Sequence, residues 1–199
     1  MITERILTDS TWEWVIASNR CKGRQLGSFS LAAFLCLGLL WSAVSHAAVY
    51  LTAEEFLQAS FSQSPAAKTM WLKEPQQRAA KLLLGHAYRG LRLRYWVDGQ
   101  KSAWILDEIG KEEPITIGVV ILDDLIQDVK ILSYRESRGW EVRHPFFTDQ
   151  FKGLSLKSNR RLSERIDGIS GATLSVRAVT NVSRFALLLH QQIMTENDI

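Results

Sequence analysis

A stretch of 20 residues without a charged side chain, from Phe29 to Ala48, constrains this chain of 199 residues more than any other feature. Three basic residues lie shortly before it, Arg20, Lys22 and Arg24, and its most apolar part runs from Leu31 to Val44. That part is shorter than the roughly 20 apolar residues that cross a bilayer as a helix. A basic segment followed by a short apolar core is typical of a secretory signal rather than of a globular core.

The end of this stretch offers a cleavage site, because Ser45-His46-Ala47 places small residues on both sides of a histidine. We therefore predict that residues 1–47 are a signal peptide and that the protein is exported to the periplasm. The alternatives are an uncleaved anchor in the inner membrane, formed by residues 29–48, and a buried core helix. Both cysteines, Cys21 and Cys36, precede the cut, so the exported part has none. Any redox activity there requires a bound cofactor.

The composition excludes several classes of protein. Hydrophobic residues make up 46% and charged residues 23%, which favours a globular domain over a disordered or multi-span membrane chain. The net charge of +3 is too small to favour nucleic-acid binding, so we expect no nucleic-acid partner. Two cysteines are too few for a cysteine-ligated metal site, and we predict no metal. His144 and His190 are interpreted as surface or core residues rather than ligands.

The first part of the exported chain, residues 48–86, is predicted to be a helical lead-in. Thr52-Ala53-Glu54-Glu55 spells a capping box, which indicates a helix start. We expect three helices here: one from this box to about Phe61, one over Ala66–Leu72, and one over Gln76–Leu84 that Gly85 ends.

Residues 87–199 are predicted to form the second domain, which begins with strands. Leu91, Leu93, Tyr95 and Val97 alternate with more polar residues, and Asp98-Gly99 is typical of the two-residue type I′ turn of a hairpin. Lys101–Ile109 is the expected return strand. A second pair, Ile115–Leu122 and Ile126–Ser133, is joined by Asp123-Asp124-Leu125. These four strands predict an antiparallel meander.

The remainder of the chain is predicted to be a loop over 134–141, a short helix over 145–151, polar surface over 154–165 and a long C-terminal helix. Apolar residues recur in that helix every three or four positions, at Val176, Val179, Val182, Phe185, Ala186, Leu189 and Ile193. The expected fold class is α+β: a small antiparallel sheet flanked by N-terminal helices and a C-terminal amphipathic helix.

The segment before this helix, Asp167-Gly168-Ile169-Ser170-Gly171-Ala172-Thr173-Leu174-Ser175, has the chemistry of a phosphate site. Its glycines and Ala172 let a ligand approach the backbone, and its hydroxyl groups can donate hydrogen bonds. The helix start adds free N–H groups and a partial positive charge. An ordinary loop with a serine or threonine cap is the alternative.

Ser170-Gly171-Ala172-Thr173, led by Asp167 and followed by Ser175, resembles the flavin-attachment motif of the FMN-binding domain. That domain occurs in the C subunit of the sodium-pumping NADH:quinone reductase and in the G subunit of the Rnf complex. Glu136-Ser137-Arg138-Gly139 is similar to the family's Glu-x-x-Gly segment, and Phe151-Lys152-Gly153 to its Phe-x-Gly. The resemblance implies that a flavin transferase esterifies the phosphate of FMN onto Thr173.

The resemblance, together with the positions of the residues along the chain, indicates which other residues surround the cofactor. They are Glu136, Gly139, Asp167, Ser170, Gly171, Ala172, Ser175 and Arg177. Asp167 is expected to cap the turn or to be read by the transferase, and Arg177 to pair with the phosphate or to lie on a solvated face. Tyr134 and Trp140 are candidate walls for the flavin ring, with core residues as the alternative.

Two departures from the family pattern bear on these expectations. Ser137-Arg138 stands where the two complexes usually have Thr-Pro, which indicates a different subclass and a different electron partner. Ser175 stands where threonine is frequent, and it is the alternative acceptor of the flavin.

The resemblance implies a redox carrier, or a subunit of an oxidoreductase system, rather than a stand-alone enzyme. Its electrons would come from a membrane donor such as a flavo- or haem-reductase and pass to a periplasmic or membrane acceptor. The alternatives are a cofactor-free exported binding module and a serine hydrolase. The hydrolase would use Ser170, within a Gly-x-Ser-x-Ala spelling, and His190 as its base.

Overall fold

A computed structural model describes residues 48–197, and these residues form an α+β fold, as predicted. The six strands are β1 (Ala48–Val49), β2 (Lys68–Trp71), β3 (Arg92–Asp98), β4 (Lys101–Ile109), β5 (Pro114–Leu122) and β6 (Leu125–Tyr134). The α-helices are α1 (Ala53–Ser60), α2 (Glu74–Leu84), α3 (Pro145–Thr148) and α4 (Thr173–Asn197), and short 3-10 helices cover Trp140–Arg143 and Asp149–Phe151.

All strands belong to one antiparallel sheet with the order β1-β6-β5-β4-β3-β2. The predicted meander of β3 to β6 is confirmed and forms its centre. The two edge strands come from the segment 48–86, which therefore contributes to the sheet as well as supplying helices. The predicted boundary at residue 47 lies outside the described residues, as does the signal peptide or anchor before it.

The predicted helix over 66–72 is wrong, because this segment contains β2. Its four residues pair with β3, from Lys68 opposite Tyr95 to Trp71 opposite Arg92. Without β2, the edge of β3 would keep a row of unpaired N–H and C=O groups. Thr69 and Trp71 also favour strands over helices.

The predicted turn of the first hairpin is wrong by one residue. Asp98 pairs with Lys101, so the two loop residues are Gly99, with φ +53°, and Gln100. The second hairpin instead has two residues in the left-handed region, Asp123 (φ +51°) and Asp124 (φ +62°). Left-handed backbone at both central positions is what a type I′ turn requires, and aspartate tolerates it better than most residues.

The caps predicted for the first helices are confirmed. Glu55 N–H donates to Thr52 Oγ1 (3.2 Å), and Thr52 N–H donates to Glu55 Oε2 (2.8 Å), which completes the capping box of α1. Gly85 ends α2 in the left-handed conformation, with φ +91°.

Helices pack on both faces of the sheet. Helices α2 and α4 cover one face, where Trp104, Phe185 and Val179 belong to the larger core. Helix α1 covers the other with Phe56, Leu57 and Phe61, which pack on Ala103, Val120 and Leu132. The chain thus has a continuous core on each side of the sheet, and α4 is anchored along its length.

Within residues 48–197, no helix is long and apolar enough to cross a membrane. The same residues contain no group of three or more histidine, cysteine or acidic side chains arranged to hold a metal ion.

Candidate functional site

Thr173 is the first residue of α4, and its side chain is exposed. The chain enters the helix through Gly171, whose φ of +83° is a conformation that favours glycine. The first helical hydrogen bond runs from Val176 N–H to Ala172 O (2.9 Å). The backbone N–H groups of residues 173–175 therefore lie in the first turn, where helix geometry supplies no carbonyl acceptor.

Gly139 lies where the Glu-x-x-Gly segment contacts the segment around Thr173. Its φ is +87°, and a Cβ on it would lie 2.9 Å from Ser175 Oγ and 3.3 Å from Ala172 Cβ. The same Cβ would lie 2.7 Å from Tyr134 Oη. Only glycine lets the loop after β6 pack this closely against the start of α4.

Tyr134 and Ser175 form a buried pair beneath this contact. Tyr134 Oη donates to Arg138 O (2.5 Å) and lies 2.8 Å from Ser175 Oγ, so the serine hydroxyl is the donor in that second bond. Burial raises the pKa of the Tyr134 hydroxyl, which keeps its proton. Tyr134 is 2% exposed, so it supports the site from below rather than forming an accessible wall.

Glu136 fixes the loop between β4 and β5. Its Oε1 accepts hydrogen bonds from the backbone N–H groups of Lys111, Glu112 (2.6 Å) and Glu113 (3.0 Å). Burial raises the pKa of Glu136, but these three bonds outweigh it and leave the pKa below its ordinary value. The ionised carboxylate is therefore committed to holding residues 111–113 beside the start of α4.

A cleft of about 610 Å³ lies where these segments meet. It is lined by Lys111, Glu112, Glu136, Ser137, Arg138 and residues 171–175. Its volume falls within the range of small-molecule and cofactor sites, roughly 300–1,000 Å³. Arg138, the helix N-terminus and the Thr173 hydroxyl face one cleft, which suits a phosphate group, while Lys111 in the same lining is paired with Glu112 (2.8 Å).

A second cleft of about 430 Å³ adjoins the first, since Lys111 and Leu174 line both. Arg177 lines this second cleft, together with the apolar side chains of Leu84 and Ile109. One turn of helix therefore connects Thr173 to a neighbouring cavity that is lined by both apolar and charged side chains.

His86 and Glu108 also line the second cleft. His86 Nε2 lies 2.9 Å from Glu108 Oε1, and Nδ1 lies 2.9 Å from the Ala87 carbonyl oxygen. The bond to Ala87 and then the bond to Glu108 raise the pKa of His86, because both ring nitrogens face acceptors. Glu108 is 7% exposed, so this part of the cleft holds a buried carboxylate paired with an imidazole.

The structure brings most of the predicted site residues together. Glu136, Gly171, Ala172, Thr173 and Ser175 line the first cleft, and Gly139 packs beneath it.

Besides Gly139, three predicted site residues do not line the first cleft. Arg177 lies in the second, whereas Asp167 and Ser170 are exposed and do not belong to the lining of either. The backbone N–H of Asp167 donates to Gln150 Oε1 (2.7 Å). Trp140 is 43% exposed and packs against Arg143 and His144 instead of either cleft.

Sequence reasoning missed the side chains that other elements bring to the clefts: Lys111, Arg138, His86 and Glu108. Arg138 lies inside the Glu-x-x-Gly segment, so the motif itself could have indicated it. Lys111, His86 and Glu108 belong to loops and a strand with no motif, and no local pattern points to them.

The hydrolase alternative is not supported by the position of its base. His190 is fully buried, with Nδ1 2.7 Å from Ser102 Oγ. It lies 17 residues beyond the start of α4, about 26 Å along the helix axis. Ser170 precedes that start, so Ser170 and His190 do not meet. Ser102 itself is 0% exposed and accepts a hydrogen bond from Trp104 Nε1, so it is a core residue.

Comparison with known families supports the same region. Residues 110–188 match the family model described as the FMN-binding domain. None of the curated proteins matches the chain in sequence. The matched span begins at the loop held by Glu136 and includes Gly139, Thr173 and most of α4.

Proposed function

We propose that the chain is an exported electron-transfer flavoprotein whose FMN is esterified through its phosphate to Thr173. The match of residues 110–188 to the FMN-binding domain model supports flavin binding. The chain would shuttle electrons between a membrane reductase and a periplasmic or membrane acceptor.

The placement of the Thr173 hydroxyl carries this proposal. It is exposed, it stands at the first residue of a 25-residue helix, and it opens into a cleft large enough for a cofactor. A flavin transferase can therefore reach it from solvent and transfer to it the FMN phosphoryl group of a nucleotide-activated flavin, with the nucleotide leaving and taking up the hydroxyl proton.

The residues around Thr173 suit the phosphodiester that this reaction forms. The ester keeps one negative charge, and the N-terminus of α4 stabilises such a charge by about 0.3–2 kcal/mol. Arg138 lines the same cleft and adds positive charge, whereas Lys111 in that lining is paired with Glu112 (2.8 Å). The carboxylate of Glu136 is ionised, and three backbone N–H groups hold its Oε1 toward the loop over 111–113.

The alternative acceptors are less suitable. Ser175 is 5% exposed, and its hydroxyl is bonded to Tyr134. Ser170 is exposed but lies before Gly171, outside the lining of the first cleft. Thr173 combines an accessible hydroxyl with a place in the cleft.

The flavin supplies the redox chemistry, since it accepts one or two electrons. The chain's own residues hold and orient it. The second cleft offers the apolar side chains of Leu84, Ile109 and Leu174 to a flat ring, with Arg177 and His86 at its polar side. Covalent attachment would prevent loss of the cofactor by dilution outside the cytoplasm.

The proposal also includes where the protein is located and which proteins act on it. Residues 1–47 would direct the chain to the periplasm as a cleaved signal, with an inner-membrane anchor over 29–48 as the alternative. A flavin transferase would mature the protein there, and a membrane flavo- or haem-reductase would reduce it. The absence of cysteine from residues 48–199 is consistent with a redox role that depends on a cofactor alone.

Intact-mass measurement of the full chain, coexpressed with a flavin transferase, tests the attachment. We expect a mass gain equal to FMN less one water, lost in Thr173→Ala and kept in both Ser170→Ala and Ser175→Ala. The two serine variants show whether the flavin is attached to Thr173 or to one of the neighbouring serine hydroxyls. An unmodified wild-type chain, or an adduct that survives in Thr173→Ala, would contradict the proposal.

A further inference from the structure

A cleft of about 620 Å³ beside α4 is lined by four cations: Lys157, Arg161, Arg165 and Arg184. We call these four residues the basic surface. Glu164 is the acidic residue in the same lining. Among the described residues, none of the four cations takes part in an ion pair. The charge of this surface is therefore available to a partner.

One member of the basic surface, Arg184, is held in place by hydrogen bonds. Arg184 Nε donates to the carbonyl oxygen of Arg160 (2.6 Å), which ties the loop over 154–165 to α4. Arg160 has a φ of +60°, a conformation that arginine seldom adopts. Burial, and then the nearby charge of Arg161, lower the pKa of Arg184 from its ordinary value. Grouping like charges in this way costs stability, which indicates a function other than folding.

The basic surface lies on the same side of α4 as the proposed attachment site. Thr173, Arg177, Thr180 and Arg184 are spaced by four, three and four residues, so they share one helix face. Thr180 and Arg184 line the basic cleft, and Arg184 lies about 16 Å along the axis from Thr173. A protein seated on this cleft would lie next to a flavin on Thr173.

We propose that the basic surface is the docking site for the electron donor of the flavin, and that this donor presents an acidic face. The proposal rests on the proposed function for the presence of the flavin. Complementary charge steers two proteins together and raises their rate of association, an effect that falls with ionic strength. A concave cleft fits a protruding acidic segment of a protein better than it fits a flat bilayer.

Binding of a fluorescent deca-glutamate peptide tests the surface directly. The full chain in non-ionic detergent should bind the peptide, with an affinity that falls as salt is added. Arg161→Glu/Arg165→Glu, two exposed positions, should weaken binding by about tenfold or more. The matched control is Arg92→Glu/Arg94→Glu, which makes the same charge change on β3, on the sheet face opposite Leu93 and α4. Equal loss in both pairs would overturn the proposal, because net charge alone would then explain the binding.

Electron transfer provides the second test. In membranes of the native host supplied with NADH, the flavin of the wild type and of the control pair should be reduced at similar rates. The flavin of Arg161→Glu/Arg165→Glu should be reduced about tenfold more slowly at low salt. Unchanged reduction of a flavinylated Arg161→Glu/Arg165→Glu chain overturns the docking proposal alone. Absence of the flavin from wild type overturns the proposed function.

Protein-free vesicles of phosphatidylglycerol distinguish a lipid partner. If Arg161→Glu/Arg165→Glu binds them more weakly than the control pair does, while flavin reduction is unchanged, the surface contacts lipid and the proposal is wrong. Equal vesicle binding by both pairs, together with slowed reduction, supports the acidic protein partner.

Discussion

The geometry of this site depends on the absence of a Cβ at Gly139. Its φ of +87° would be strained for any residue with a Cβ, and that Cβ would also touch Tyr134 and Ser175. The glycine therefore serves both the turn after β6 and the contact with the start of α4. Glu136, three residues earlier, holds a different loop, so the two ends of the Glu-x-x-Gly segment have separate roles.

Gly139→Ala is expected to destabilise the protein by more than Gly153→Ala does. Gly153 also has a positive φ, +77°, but a Cβ there meets no atom within 4 Å. Backbone strain should cost each variant about 1–2 kcal/mol. The clash at Gly139 should add about 1–3 kcal/mol and reduce incorporation of FMN. Urea unfolding and intact mass measure both effects, and equal losses in the two variants would contradict the packing role of Gly139.

Among the elements, α1 and the sheet are coupled through a close contact on the smaller core. Gly118 on β5 faces the ring of Phe56, and a Cβ at this position would lie 2.7 Å from that ring. The alternation of β5 directs its larger side chains toward α2 and α4 and leaves space for α1 on the opposite face. Helix α1 is thus placed by a small residue in the strand as well as by its own capping box.

Gly118→Ala is expected to cost about 1–3 kcal/mol of unfolding free energy, because Phe56 and α1 must shift. Phe56→Leu removes the ring that the new methyl group would meet. The variant with both substitutions should therefore be more stable, by at least about 0.5 kcal/mol, than the sum of the two single losses of unfolding free energy predicts. Denaturant unfolding of the four proteins gives this coupling energy. If the two losses of unfolding free energy are strictly additive, the side chains at positions 118 and 56 do not compete for the same space.

Across the whole molecule, a buried polar chain links the sheet to the far end of α4. Trp104 Nε1 donates to Ser102 Oγ, which lies 2.7 Å from His190 Nδ1. Burial lowers the pKa of His190, although the charges of Asp124 and Asp123 act in the opposite direction. The folded protein therefore favours the neutral imidazole, and protonation of His190 opposes folding.

Stability should consequently fall in mild acid through His190. Its folded pKa is below the ordinary value of 6.5, so the unfolded chain binds more protons as the pH drops below that value. His190→Gln should be less stable near neutral pH but lose less stability between about pH 7 and pH 5.

His86→Gln is the contrasting variant for this pH dependence, since the pKa of His86 is raised. His86 stabilises the fold below the ordinary pKa, and that contribution is lost as the pH rises through the folded pKa. The stability of His86→Gln should therefore fall more steeply than that of wild type as the pH is lowered. Identical pH profiles for wild type and His190→Gln, measured by thermal unfolding, would contradict the role given to His190.

The sequence by itself determined the features that depend on neighbouring residues. The capping box of Thr52 and Glu55, the end of α2 at Gly85 and the meander of β3 to β6 were predicted correctly. Each depends on hydrogen bonds or alternation within a few positions, and these are visible in a short window of sequence. The motif around Thr173 was recognisable for the same reason.

Only the tertiary structure decided which distant segments meet. Residues 68–71 became β2 because the edge of β3 was available for pairing, and that edge is distant in the sequence. Gly139 reached Ser175, and Glu136 reached the loop over 111–113, because the sheet and α4 share one core. Lys111 and His86 entered the clefts in the same way. Contacts between residues far apart in the chain depend on how the elements pack. The sequence of a single element carries no pattern that reveals this packing.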